Sequence, residues 1–320
     1  MKEKSKSIIQ AVIGAVIMII GIVLCVNTYV VKGNKAYAFS LLVTIIGAVV
    51  LISGLYNTFC KSEKKPVDAK VIAQAALCAA LCYVGATFIK IDIPVGTERT
   101  MFHFGNVFCV LAALLIGGTW GGLAGAVGMT ISDLTTAYVT SAPKTFILKL
   151  CIGLIVGFVA HKLFKISKEH SAKYITVATI VSSICGMAFN IVADPVVGYF
   201  YKTYLLGVPQ DLAKALAKIG AITTTVNAII AVIVASILYI ALRPVMKKTD
   251  MLRDFIMFIC LYVIMLLYIC LCYLLLYICL CLCLCLFFPL FIFLLFIYIL
   301  SLSYILPFYF LLPSLTCKLP

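Results

Sequence analysis

Five polar side chains sit where an apolar chain has most reason to exclude them. Asp133, Lys149, Asn106, Asn190 and Asp194 each lie inside or at the end of a long apolar run. A carboxylate in such a run costs at least about 2.5–3.5 kcal/mol on insertion scales, so it must face a cavity or a counter-charge. At 1.5 Å per residue, Asp133 and Lys149 reach a similar depth in consecutive spans, and a structural Asp133–Lys149 ion pair is the simplest account of both. Asn106 falls about one turn below the end of its span, and Asn190 and Asp194 fall in the last turns before Pro195. All five therefore share one half of the bilayer. Scattered structural polar groups have no reason to share a level, so the pattern predicts a pocket that opens on one side of a helical bundle. The polar segment from Asp92 to His103 contains Pro94 and Gly96 and is placed to close over it, which adds Arg99 and His103 to the candidate substrate-binding residues. Asn227, nearer the middle of its span, is expected instead to be an interhelical hydrogen-bond donor.

The elements that position these groups follow from composition. Of 320 residues, 65% are apolar and 11% charged, and the mean hydropathy is +1.21. Soluble domains carry roughly 45–50% apolar residues, so the chain is an all-α integral membrane protein. The net charge of +14 does not point to nucleic acid, because the basic residues cluster between apolar runs and report topology. No Gly-rich loop ending in Gly-Lys-Ser/Thr occurs, so any ATP is hydrolysed by a partner. The arrangement of the 15 cysteines offers no zinc-ligand spacing, and neither a metal nor another cofactor is expected.

Along the chain, a basic start is followed by apolar runs over 8–31 and 37–59, which predict a transmembrane helical hairpin within residues 1–60. A charged linker with a proline, residues 61–70, is expected to be cytoplasmic. Six spans follow within 71–248, at about 70–90, 103–117, 119–138, 143–163, 174–195 and 212–242. A cytoplasmic N-terminus puts the majority of the 25 Lys and Arg on the inside. Residues 249–320 differ in kind. From 251 onward they lack Gly, Ala, Asn, Gln and His and run through alternations such as Cys279-Leu-Cys-Leu-Cys-Leu-Cys285. Transmembrane helices use Gly and Ala to pack, so this low-complexity apolar tail is read as a translated frameshift or repeat, the alternative being two extra lipid-facing spans.

Two small-residue patterns stand out. Gly117, Gly118, Gly121, Gly122, Gly125 and Gly128 form a stripe that lets another backbone approach closely. Ala75, Ala76, Ala79 and Ala80 give the first span of the six-span module a helix-association face, either packed internally or docked on another membrane subunit.

The stretch from Phe104 to Lys162 contains Gly105-Asn106, the glycine-rich span ending Ser132-Asp133-Leu134, and Ser141-Ala-Pro-Lys-Thr-Phe-Ile-Leu-Lys149 followed by Gly153 and Gly157. It resembles the substrate-binding S components of energy-coupling factor (ECF) transporters, most closely their riboflavin-type group. The likeness extends more loosely over 66–248. It implies a non-enzymatic, six-helix subunit in a bacterial plasma membrane. Such a subunit captures a vitamin or vitamin precursor from outside and topples against a T subunit driven by two ATPases, with Ala75–Ala80 as the face that meets the T subunit. Many members carry Gly-Asp where this chain has Gly105-Asn106. Two other classes fit the residues: an autonomous secondary transporter using Asp133 and Lys149 as a proton-linked pair, and a membrane scaffold or sensor whose polar cluster is structural.

Overall fold

A backbone inside hydrocarbon must satisfy its own hydrogen bonds, so apolar runs of this length become helices. The computed structural model describes residues 2–31, 34–59 and 69–248, all within one compact unit, Met1–Leu252. The expected linker at 61–70, apart from its last two residues, and the tail at 249–320 lie outside the described residues. Among the described residues eight helices run in order: α1 (Lys2–Thr28), α2 (Lys35–Phe59), α3 (Ala69–Thr87), α4 (Gly105–Ile116), α5 (Gly118–Thr135), α6 (Ala142–Gly157), α7 (Ala172–Phe200) and α8 (Gln210–Lys248). Two short strands, β1 (Lys90–Val95) and β2 (Glu98–His103), lie between α3 and α4.

Helices α1 and α2 pack as an antiparallel pair. Gly14 and Gly21 on α1, and Gly47 and Gly54 on α2, recur every seven residues, the period that keeps one seam on a neighbouring helix. A Cβ at Gly14 would strike the Leu51 backbone, and one at Gly47 the Met18 backbone. The module α3–α8 forms the bundle. Helix α5 lies against α3, α4 and α6, α7 against α6 and α8, and α4 runs among α3, α5, α6 and α8.

Six of the eight helices are long and apolar enough to cross a membrane. Helix α4 is not: the span expected at 103–117 contains a helix of 12 residues, about 18 Å long. The strand takes His103 away from its start, and Gly117, at φ 85°, ends it. Its residues from Gly105 through Leu114 are buried, as befits a helix enclosed by its neighbours. Helix α5, of 18 residues, is diluted in apolarity by its glycines and Asp133.

Pro195, expected to end its span, lies inside α7, which runs on to Phe200 and then through a π-helical turn, Tyr201–Leu205. The proline deletes one N–H from the ladder without stopping it, a loss that membrane helices tolerate where neighbours supply other partners. Pro143 stands in the first turn of α6, where a missing N–H costs nothing.

The polar segment expected from the sequence to close over the pocket is an antiparallel β-hairpin, with Lys90 opposite His103 and Val95 opposite Glu98. Its two-residue turn is Gly96-Thr97, and Gly96 adopts φ 62°, the left-handed conformation that tight hairpin turns demand.

Candidate functional site

The β-hairpin lies over one end of the bundle and is tied down on three sides. Toward the α5–α6 turn, the Tyr138 hydroxyl donates to Asp92 Oδ1 at 2.8 Å and lies 3.1 Å from the Thr100 carbonyl. Burial alone would raise the Asp92 pKa. Hydrogen bonds from Tyr138 and Lys90, with the charges of Lys90 and Arg99, outweigh it and hold the carboxyl below its ordinary value. Toward the end of α7, Lys202 Nζ meets Glu98 Oε2 at 2.6 Å. Toward α8, the Thr100 and Thr223 hydroxyls are 3.1 Å apart, Asn227 Oδ1 accepts the His103 N–H at 3.0 Å, and Asn227 Nδ2 donates to the Met101 carbonyl at 3.1 Å.

Asn227 is therefore not the interhelical donor that its sequence position suggested. The β-hairpin descends to its level, and its amide serves both the acceptor and the donor presented by strand β2.

Beneath the β-hairpin is an open-mouthed cavity of about 110 Å³, into which polar and apolar side chains converge as they do in small-molecule sites. The structure brings all seven residues singled out from the sequence, Arg99, His103, Asn106, Asp133, Lys149, Asn190 and Asp194, to its wall. Five elements carry them: strand β2 supplies Arg99 and His103, α4 Asn106, α5 Asp133, α6 Lys149, and α7 Asn190 and Asp194. The side chain of Arg99 is exposed, whereas Asn106, Asp133, Lys149 and Asn190 are buried.

The pairing within the wall differs from expectation. Asp133 does not pair with Lys149; Asp133 Oδ2 accepts a 2.5 Å hydrogen bond from the Thr145 hydroxyl, one turn nearer the start of α6. Asp194 takes the ion pair, with Lys144 Nζ at 2.8 Å from Oδ1 and the Thr224 hydroxyl at 2.9 Å from Oδ2. One carboxylate thus joins α6, α7 and α8. Lys149 makes no ion pair among the described residues, and its ammonium is left to the cavity. A proton-linked Asp133–Lys149 couple has no geometric basis here.

Two further groups are uncommitted. Asn106 Oδ1 and Asn190 Oδ1 are buried with no hydrogen-bond partner among the described residues. Buried carbonyl oxygens are nearly always paired, so two in one cavity wall is a deviation that calls for an explanation. His103 Nδ1 accepts the Gly105 N–H at 3.2 Å, and the ring thereby supports the start of α4. Burial, then the Lys149 charge, pushes the His103 pKa down to about 3, so the ring is neutral.

Sequence reading missed Lys144, Thr145, Lys202 and Thr224. The first two lie in the quoted Ser141–Lys149 stretch, and Pro143 marks the helix start that brings Lys144 to the cavity rim. Lys202 and Thr224 had no signal of their own, because each gains its role from a partner far away in sequence.

The alanine face of α3 divides. Ala75 is buried and Ala79 half-buried, with the Ala79 carbonyl where a Cβ on Gly128 of α5 would sit. Ala76 and Ala80 are exposed. The face available to a partner is thus narrower than the four alanines suggested, because α3 uses one edge of it to pack on α5.

These features define a class: a multi-pass α-helical membrane protein with a polar cavity at one end of its bundle, under a β-hairpin. The particular family follows from comparison. A family model described as "ECF-type riboflavin transporter, S component" matches residues 67–244, and the chain belongs to that family. The match leaves out α1 and α2. Over 75 residues the chain is 33% identical to a protein of Pyrococcus woesei described as "Uncharacterized protein in gap 3'region", covering 23% of this chain and 50% of that one. The chain thus spans about half the length of this curated relative. No solved structure matches.

Proposed function

We propose that the cavity captures a flavin-class vitamin or its precursor, and that the chain is the substrate-binding subunit of an ATP-driven importer completed by a T subunit and two ATPases. One observation carries this reading: among the described residues, two buried carbonyl oxygens in one cavity wall have no hydrogen-bond partner and one ammonium has no ion pair. A ligand that satisfies them must present N–H or O–H donors to Asn106 and Asn190 and an acceptor to Lys149. A flavin offers an imide N–H flanked by carbonyls, a polyol chain that donates and accepts, and a flat apolar ring. Met101, Met129 and Leu216 in the same wall suit such a ring. The β-hairpin is the cover, placed on the outer side of a bacterial plasma membrane when the N-terminus is cytoplasmic, as the distribution of basic residues favours. Transfer to the T subunit uses the exposed edge of α3 at Ala76 and Ala80.

The test is titration of riboflavin fluorescence with purified full-length protein in detergent, with thiamine, pyridoxine and biotin compared by thermal shift. Saturable quenching at one flavin per chain is expected. Binding of another vitamin with no flavin quenching would overturn the ligand assignment. Absence of any stabilising ligand in the panel would overturn the capture role.

A further inference from the structure

The N-terminal hairpin lies outside the family-matched residues, yet it grips the helices that build the cavity. Leu42 of α2 is buried in a cluster with Ala126 of α5 and Ala142 and Phe146 of α6, with Leu134 and Leu150 packed around it. Leu134 follows Asp133, and Phe146 follows Thr145, so this cluster clasps α5 and α6 beside the Asp133–Thr145 hydrogen bond. A second contact lies at the covered end. Tyr37 of α2 is buried against Tyr201 and Leu206. The Tyr201 hydroxyl donates to the Thr140 carbonyl at 2.7 Å, tying the end of α7 to the α5–α6 turn. The next residue, Lys202, holds Glu98 of the β-hairpin, and Tyr138 of the α5–α6 turn holds Asp92. Two of the three attachments of the cover are therefore backed by α2. The glycine-seamed contact of α1 with α2 makes the pair a stiff support, since backbones packed this closely have little room to shift.

From these contacts we infer that the N-terminal hairpin is a positioning element of the ligand site. Through Leu42 it fixes the spacing of α5 and α6, and through Tyr37 it fixes the anchors of the β-hairpin. It touches no ligand and supplies no group to the cavity wall; it slows ligand escape by holding the cover in place. This inference rests on the capture reading above.

The test uses full-length protein carrying Leu42→Ala, Tyr37→Ala or the milder Leu42→Val, with Ile52→Ala, on the exposed side of α2, as control. Riboflavin release is followed by stopped flow, and amide hydrogen exchange without ligand is followed over residues 90–103 and 136–141. Leu42→Ala and Tyr37→Ala are expected to speed release by roughly three- to thirtyfold, the range seen for residues that act through a packed network. Exchange in both segments should also rise while that of α3 stays unchanged, and Ile52→Ala should alter neither. Equal release from all the proteins overturns the inference, as does faster exchange spread evenly over the chain, which would mark a general loss of stability. Where the wild-type protein binds no riboflavin, the flavin assignment falls and exchange alone decides: a rise confined to the two segments keeps the positioning role, and no rise removes it. Should Leu42→Ala fail to fold, Leu42→Val and Tyr37→Ala carry the comparison.

Discussion

Replacing Asn190 by leucine separates a ligand group from a structural one, because the two roles predict opposite results. The Asn190 side chain is 1% exposed, and its carbonyl oxygen has no partner among the described residues. Leucine has nearly the same volume and breaks no hydrogen bond among the described residues, so the unfolding temperature should hold or rise. The ligand, however, loses its acceptor, and the donor it presented is left buried without a partner. That costs about 1–3 kcal/mol, which at about 1.4 kcal/mol per decade is roughly a fivefold to 150-fold rise in dissociation constant. Thr145→Val is the counterpart. It removes the 2.5 Å hydrogen bond to Asp133 and leaves a buried carboxylate short of its donor, so it should lower the unfolding temperature clearly even without ligand. Both variants are measured by flavin titration and by thermal unfolding in the same detergent. If Asn190→Leu unfolds early while its folded fraction binds flavin normally, Asn190 is part of the framework and the ligand reading of the cavity is wrong.

The edge of α3 gives a second contrast. Ala76→Leu, on the exposed edge, should block uptake in cells that contain the T subunit and ATPases while sparing binding by the isolated chain. Ala75→Leu, at a buried position, should instead lower the unfolding temperature. Equal effects of the two on uptake and stability would show that α3 has no docking edge. Acidification gives a third. The folded-state pKa of His103, about 3, lies below the roughly 6.5 of an unfolded histidine, so the unfolded chain binds the proton first as pH falls. Stability should therefore decline from about pH 6.5 downward, by up to about 1.4 kcal/mol per unit from this group. His103→Gln should flatten thermal unfolding over pH 6.5–4, and an unchanged pH dependence in that variant would refute the assignment.

The level of the polar cluster was legible in the sequence because hydrocarbon forbids isolated charge: Asp133, Lys149, Asn106, Asn190 and Asp194 had to converge, and helical rise alone places them at one depth. Which group meets which was not legible. Lys144 reaches Asp194, 50 residues away, and leaves Lys149 free, a choice made by the lateral order of α6, α7 and α8, which depth arithmetic does not contain. The β-hairpin was hidden for another reason. Ile91, Ile93 and Val95 alternate with Asp92 and Pro94 before Gly96-Thr97, a recognisable strand-and-turn pattern. Six-residue strands bounded by membrane helices nevertheless read as a loop when polarity alone is weighed. Pro195 misled because a rule drawn from helices in water, where a proline usually ends the run, is relaxed inside a bundle. The alanines of α3 share one broad face by spacing, and only the position of α5 divides it into a packed edge and a free one.

The cavity opens at one end because the other end is closed by backbone. Helix α5 enters the bundle at Gly118 and leaves it near Asp133, while α6 runs back from Ala142 to Gly157. At the end away from the β-hairpin, Gly118 stands against Gly157 and Gly122 against Gly153, so close that a Cβ on Gly153 or Gly157 would overlap the opposing backbone. No side chain separates the two helices there, and none of these glycines lines the cavity. Toward the β-hairpin the same two helices carry Asp133, Thr145 and Lys149, whose side chains need room. The glycine stripe and the polar cluster are thus two ends of one design, contact without side chains below and side chains without contact above. A ligand held in such a site leaves by the mouth through which it entered, since a second exit would require prising apart a backbone-to-backbone seam. Under the capture role proposed above, delivery to the opposite side of a bilayer would need the whole body to move rather than a gate to open between the described helices.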